Sequence, residues 1–424
     1  MTLRDSDRQV VITGVGVLSP IGVGQAAFWE SLVDARSGIG PLGEAALPQF
    51  PVQFGGVVDG FDPRAFVKPR KSIKLMSREI QLGMAAASLA VENAQLDTEQ
   101  VDPERLGVVY GSEMLYCDPL ETVELYHASL KEDGFSIGSF GRNLLSQLFP
   151  LWMLKYLPNM GACHVAIAHH ACGHNNTIVQ GEVSGLLAII EAALKIQEGT
   201  ADVMIAGGIG SLLGFTRQSV NGTDRLSKRH DDPAAACRPF DSDRDGIVMG
   251  EGSGALILES RKHAKSRGAR VRAAFSGFAR LFGQPSEGWY PDPAAIRHSI
   301  EMALDSAQLR PDDLGHINAH AAGSVAADRV EAQAIQGIAG QIPVTAPKSL
   351  FGNLGAGGGS VEAIVSVLAL ENNLIPPTLN YQTPDPECPV NVVRDQPLAT
   401  DKPAAMVLNQ APTGQAVAVV LACE

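Results

Sequence analysis

Thr177-Ile-Val-Gln-Gly-Glu182-Val-Ser-Gly185, continued by Leu186-Leu-Ala-Ile-Ile-Glu-Ala-Ala-Leu-Lys-Ile-Gln-Glu-Gly199 and Ala201-Asp-Val-Met-Ile-Ala-Gly-Gly208, reads as strand, sharp elbow, buried helix, strand. The helix follows a glycine turn and is apolar almost all round, which is the pattern of a helix held between two sheets. An elbow of this kind usually presents a nucleophile. The same pattern returns later: Ser184-Gly-Leu-Leu-Ala-Ile-Ile-Glu-Ala-Ala-Leu194 is echoed by Ser360-Val-Glu-Ala-Ile-Val-Ser-Val-Leu-Ala-Leu370. A second echo pairs Asn93-Ala-Gln-Leu96 and the following Leu106-Gly-Val-Val-Tyr-Gly-Ser112 with Ser306-Ala-Gln-Leu309 and Leu314-Gly-His-Ile-Asn-Ala-His320. Each is a helix end, a polar turn and a strand.

Strands are expected at Val10 to Val17, Val108 to Ser112, Ala201 to Gly207, Gly254 to Glu259, Ala273 to Phe278, Ile342 to Ala346 and Ala416 to Leu421. Two halves of similar βαβ-rich pattern predict a layered α/β fold. The halves are expected at 1–260 and 261–424, meeting near Ser260 to Arg272.

Composition suits a large enzyme-like chain. The 424 residues, 45% of them hydrophobic, can bury one extended core or two fused ones. No run of some eighteen apolar residues and no charged-then-apolar leader is present, so neither membrane spanning nor secretion is expected. The cysteines at 117, 163, 172, 237, 388 and 423 have no Cys-x-x-Cys spacing, which argues against zinc and suits a reducing cytoplasm. A net charge of −13 disfavours nucleic acid as a partner. Against that background Arg64, Lys68, Arg70, Lys71, Lys74 and Arg78 form a basic block free of acidic residues, able either to steer an anionic partner or simply to solvate a surface.

The elbow, its spacing to Ala201-Asp-Val, and the block Arg238-Pro-Phe-Asp-Ser-Asp-Arg-Asp-Gly-Ile-Val-Met-Gly-Glu-Gly-Ser-Gly-Ala-Leu-Ile-Leu-Glu259 together resemble the β-ketoacyl-(acyl carrier protein) synthases over about nine-tenths of the chain, Val10 to Leu421. The resemblance implies the thiolase-like five-layer α-β-α-β-α fold built from two duplicated halves. It also places Glu182 where that family has its catalytic cysteine, because the pattern runs from Met160 to Gly185 without a gap. The competing register, His170-Ala-Cys172-Gly, would need an insertion of roughly ten residues inside the buried helix. Val10 to Pro20 resembles the family's first strand, whose Gly14-x-Gly16 serves close backbone packing rather than a dinucleotide.

Other positions carry over one by one. His320 matches the first catalytic histidine, a donor toward the enolate formed when a malonyl thioester loses carbon dioxide. Lys348 matches the lysine that braces acidic and histidine neighbours. Asn353 replaces the second histidine; an amide can donate a hydrogen bond but cannot exchange a proton near neutral pH. Ala411 and Thr413 stand where the family has two phenylalanines, one of them the acyl gate. Ala321-Ala-Gly-Ser replaces hydroxyl-bearing residues that touch the pantetheine arm. Asp241, Arg244 and Asp245 are expected to form one structural ion network. The basic block at Arg64, Lys68, Arg70, Lys71 and Lys74 would dock acyl carrier protein.

These losses resemble the chain length factors, non-condensing partners of active synthases, although those typically lose the first histidine as well. The leading expectation is a cytoplasmic subunit without cofactor or metal, phosphopantetheine arriving on the carrier protein, that pairs with an active ketosynthase or with itself. The alternatives are a malonyl carrier protein decarboxylase and a repurposed acyl-thioester enzyme using Glu182 and His320 as acid and base. Burial should neutralise Glu182 unless a cation lies close. His164, His169, His170 and His174 are read as belonging to the helix and loop before the elbow, and Glu113 to Phe149 as a cover over the pocket mouth and a subunit contact.

Overall fold

The computed structural model describes residues 8–46, 50–221, 223–284 and 292–424. Among the described residues the first half supplies β1 (Val10–Ser19), β2 (Leu106–Gly111), β3 (Asn175–Ile178), β4 (Val203–Ser211) and β5 (Glu251–Ser260), in the spatial order β3-β2-β4-β5-β1. The second supplies β6 (Ala273–Phe282), β7 (Leu314–Asn318), β8 (Pro343–Thr345), β9 (Ala404–Gln410) and β10 (Gln415–Ala422), in the order β8-β7-β9-β10-β6. The two orders are the same permutation. The directions agree too: the inner strand of each half pairs in parallel with both neighbours, and the last strand runs antiparallel to the strands flanking it. The first strands of the halves meet antiparallel, Val11 opposite Ala274, and join the sheets.

Helices α1 (Arg78–Asn93) and α2 (Met160–Ala168) cover the outer face of the first sheet, while α4 (Pro293–Ala307) and α5 (Val325–Ala339) cover that of the second. Between the sheets lie α3 (Ser184–Gln197) and α6 (Gly358–Asn372), each packing against strands of both halves. This is the α-β-α-β-α thiolase-like fold. The central position explains why both helices are apolar almost all round, and α6 is buried at every residue from Gly358 to Leu370. The repeat extends to backbone detail, since Gln95 and Gln308 close their helices with φ of 50° and 56°.

One principal strand was not expected. The run Ala404-Ala-Met-Val-Leu-Asn-Gln410 is buried throughout, and a short apolar run with no alternation does not distinguish strand from helix. Gly14 and Gly16 act as spacers: a Cβ on Gly16 would lie 2.1 Å from the Ala86 carbonyl oxygen of α1. No helix of the described residues is long and apolar enough to cross a membrane.

Gly208, at the inner edge of β4, brings three backbones together, because an added Cβ would stand 2.4 Å from the Ala356 carbonyl oxygen and 3.1 Å from the Gly185 Cα. Gly208→Ala should therefore overpack the elbow and lower stability by about 1–3 kcal/mol. Chemical denaturation checks this; a change below about 0.5 kcal/mol would show that the contact relaxes freely.

Candidate functional site

The elbow forms where β3 leaves the sheet edge. Gly181 adopts φ 62°, Ser184 Oγ donates to the Gly181 carbonyl at 2.6 Å and accepts from Gln180 N at 2.8 Å, and α3 begins at Ser184. Glu182 thus projects just ahead of a helix N-terminus, which favours an anion by about 0.3–2 kcal/mol.

The second half brings the partners. His320 follows the end of β7, and its backbone N–H and that of Ala321 both donate to the buried Glu331 carboxylate at 2.8 Å, holding Ala321 at φ 28°. The His320 ring then reaches Glu182, with Nε2 2.9 Å from Oε2. Asn353 Nδ2 donates to the same Glu182 oxygen at 3.0 Å. Its amide orientation is set because Oδ1 accepts from Gly355 N at 3.0 Å. On the far side Lys348 Nζ lies 3.3 Å from His320 Nδ1. An ammonium has no lone pair, so Nδ1 accepts from it whenever the ring is neutral, and in either state Nε2–H donates to Glu182. Lys348 is itself buried and ion-paired with Glu362, whose other oxygen accepts from Asn409 Nδ2 at 2.5 Å.

The four residues singled out in the sequence therefore lie side by side, and they settle the charge of the elbow. Burial alone would raise the Glu182 carboxyl. The His320 hydrogen bond, the charge of that ring once protonated, the Lys348 ammonium and the Asn353 amide outweigh it and bring the group down to about 2. Glu182 is accordingly a carboxylate at neutral pH: the exception attached to the burial expectation, a cation close by, applies here. Two N–H donors converge on its one oxygen.

The other residues are placed less uniformly. Ala411 is buried and Thr413 exposed in the turn between β9 and β10, where Gln415 Nε2 bridges to Gln180 Oε1 beside the elbow at 2.8 Å. Arg64, Lys68, Arg70, Lys71 and Lys74 are exposed, Arg64 pairing with Asp62 at 2.9 Å, whereas Arg78 turns inward to Glu251. Cys172 sits exposed on the loop before β3. His164 lies on α2 and His169, His170 and His174 on the following loop. No carboxylate lies within that stretch of sequence, yet folding brings Glu191 to 2.7 Å from His174 Nε2.

The expected single network of Asp241, Arg244 and Asp245 divides. Asp241 pairs with Arg238 and accepts from the backbone N–H groups of Gln382 and Thr383; Arg244 pairs with Asp385 at 2.7 Å; Asp245 turns away to Ser227 Oγ and Lys228 N. Sequence reasoning overlooked Glu331, Glu362 and Asn409. Glu362 carried a signal, as the one acid in the buried run Gly358 to Leu370 of α6.

Asp328, at the start of α5, braces the loop that carries His320. Its Oδ2 accepts from Phe240 N and Gly323 N at 3.2 Å each, while Arg244 Nε is 4.0 Å away. Burial pushes its carboxyl from 3.8 up to about 7, opposed by Arg244 and reinforced by Glu331. A raised acid means that the folded chain holds the proton more tightly than the unfolded one. The resulting stabilisation is complete below pH 3.8 and is lost as pH rises toward about 7. Asp328→Asn should remove that loss, a few kcal/mol at most, and flatten the stability profile between pH 4 and 7 in thermal scans. An unchanged slope would locate the titration elsewhere.

Comparison with known proteins adds an independent line. The model of the β-ketoacyl synthase N-terminal domain matches residues 7–264 and that of the C-terminal domain residues 273–382. The 3-oxoacyl-[acyl-carrier-protein] synthase 2 of Synechocystis sp. is 33% identical over 92% of both chains, and a putative polyketide β-ketoacyl synthase 1 of Streptomyces halstedii is 34% identical over 91% of both. Among solved structures, the ishigamide ketosynthase/chain length factor superposes with a TM-score of 0.87 at 25% identity, covering 99% of this chain and 100% of that one. A chain of the AntDE:AntF structure, a type II PKS acyl-carrier protein in complex with its ketosynthase bound to the hexaketide, gives 0.84 at 28% identity over 98% and 100%. With both halves of the fold matched in order and the elbow facing His320 across them, this chain belongs to the β-ketoacyl synthase family of fatty acid and polyketide biosynthesis.

Proposed function

We propose that this chain is a non-condensing subunit that pairs with an active ketosynthase, receives acyl carrier protein, and helps shape the growing chain. The observation that carries the reading is the Glu182 carboxylate, at 2.9 Å from His320 Nε2 and 3.0 Å from Asn353 Nδ2. An oxygen acid at the elbow cannot form the acyl thioester on which condensation depends. Its negative charge also fills the point where the two donors would otherwise hold a developing enolate. The family comparison supports a partner of the same fold and a carrier protein, since the similar solved structures include a ketosynthase/chain length factor and a ketosynthase with its acyl-carrier protein. Five exposed cations at Arg64, Lys68, Arg70, Lys71 and Lys74 suit an acidic carrier surface.

Co-expression with an active synthase of the same pathway, followed by size exclusion and product analysis, tests this. A one-to-one complex whose products change in length when this chain is omitted is the expected result; a homodimer that leaves the synthase's products unaltered contradicts it.

A second reading, decarboxylation of malonyl carrier protein, draws on the same two donors. It requires Glu182 to leave them, and so predicts activity in the unmodified chain.

A further inference from the structure

The strand order of the first sheet ends on β3, so one side of that strand has no neighbour among the described residues. On its other side Val108 N and Ser112 N donate to the carbonyls of His174 and Ile178 at 2.8 and 2.9 Å. Successive residues of a strand turn their backbone groups to opposite sides, so the Thr177 N–H points away from β2 and out of the open edge. It is not left bare. Asn176 Oδ1 accepts from it at 2.8 Å. The Asn176 amide is itself held, since Nδ2 donates to Glu191 Oε1 of α3 at 2.8 Å and His174 Nε2 reaches the same oxygen at 2.7 Å. His174 and Asn176, two positions apart, share the face of the strand that looks at α3. A carboxylate only accepts, so both nitrogens donate to Glu191 and the amide oxygen is left for Thr177. Beside the edge stand two exposed apolar side chains, Ile167 of α2 and Val179 just past β3.

We infer that Asn176 is a built-in mask on the β3 edge, which disfavours pairing of two copies of this chain through that strand and leaves the edge to a strand of a different partner of the same fold. This rests on the proposed function only in taking such a partner. An open edge is a ready template for another strand, and Ile167 and Val179 give that strand apolar surface to cover. Docking there makes the Thr177 N–H exchange the Asn176 oxygen for a carbonyl of the incoming strand. In a twofold self-pairing both copies use the same patch, so two masks must open at once. A partner whose own edge carries no mask requires only one to open, and a difference of that kind is what selects one pairing over another.

The test compares the full-length chain with Asn176→Ala by sedimentation velocity over a concentration series, and reads hydrogen exchange at the Thr177 amide where both are monomeric. Alanine is a poor strand former, so a gain in association reports the lost bond and not a new strand preference. Asn176→Ala should self-associate about 10-fold more tightly than the native chain, and its Thr177 amide should exchange about 10-fold faster. Equal self-association of the two chains would overturn the mask, as would a native chain that stays dimeric at every dilution. A Thr177 amide that exchanges as fast as an unbonded one in the native monomer would overturn it even if Asn176→Ala fails to fold. No synthase is present in these measurements, so their outcome is separate from that of the co-expression experiment.

Discussion

Glu182→Gln is expected to give the site the ability to decarboxylate malonyl carrier protein. In the native chain the Glu182 carboxylate occupies the point where His320 Nε2–H and the Asn353 amide converge. A malonyl carboxylate arriving about 4 Å away would be repelled by roughly 4 kcal/mol at an effective dielectric of 20, close to a thousandfold in occupancy. Glutamine keeps the size and removes the charge. The carbon–carbon bond to the carboxylate can then break, its electron pair passing into the thioester enolate, with His320 and Asn353 donating to the enolate oxygen before carbon is protonated. We expect acetyl carrier protein to appear about 10²–10³-fold faster than with the native chain, by intact-protein mass. The gain should disappear in the Glu182→Gln, His320→Ala double variant. A native chain that decarboxylates readily and loses the activity on Glu182→Gln would favour the decarboxylase reading instead.

The second large effect concerns stability. Lys348→Met removes the cation between His320 and Glu362 and leaves Glu362 fully buried, with Asn409 its remaining side-chain partner among the described residues. Breaking a buried ion pair from one side typically costs about 3–5 kcal/mol, because the remaining charge has neither water nor a partner. Denaturant midpoints should fall accordingly. The Lys348→Met, Glu362→Gln double variant should recover more than half of the loss, since it removes both charges. A single-variant loss under about 1 kcal/mol would mean that Glu362 takes up a proton or finds solvent. The same substitution frees His320 Nδ1, so the elbow would lose its tautomer control together with its stability.

The residues differ in how far they could be read before folding. Glu182 was legible through the family resemblance, whose pattern runs without a gap from Met160 to Gly185 and reaches Ala201-Asp-Val at the family's spacing. His320, Lys348 and Asn353 were legible through their motifs, and they fall together because the two halves are the same topology facing one helix layer. The charge state of Glu182 was not, since it depends on which donors converge from the opposite half. The division of the Asp241, Arg244 and Asp245 cluster reflects backbone course: Gly246, with φ 151°, follows Asp245, which reaches Ser227 while Arg244 reaches Asp385.

The proposed silence of the site turns on the ionisation of one side chain. Isotope-edited infrared difference spectra between the native chain and Glu182→Gln, recorded from pH 5 to 8 with labelled glutamate carboxyl carbons, read that state without any substrate. A carboxylate band assigned to Glu182 that persists unchanged across the range is the predicted result. A protonated carbonyl band from the same residue at pH 7 would contradict it, and with it the electrostatic exclusion of malonate from the elbow.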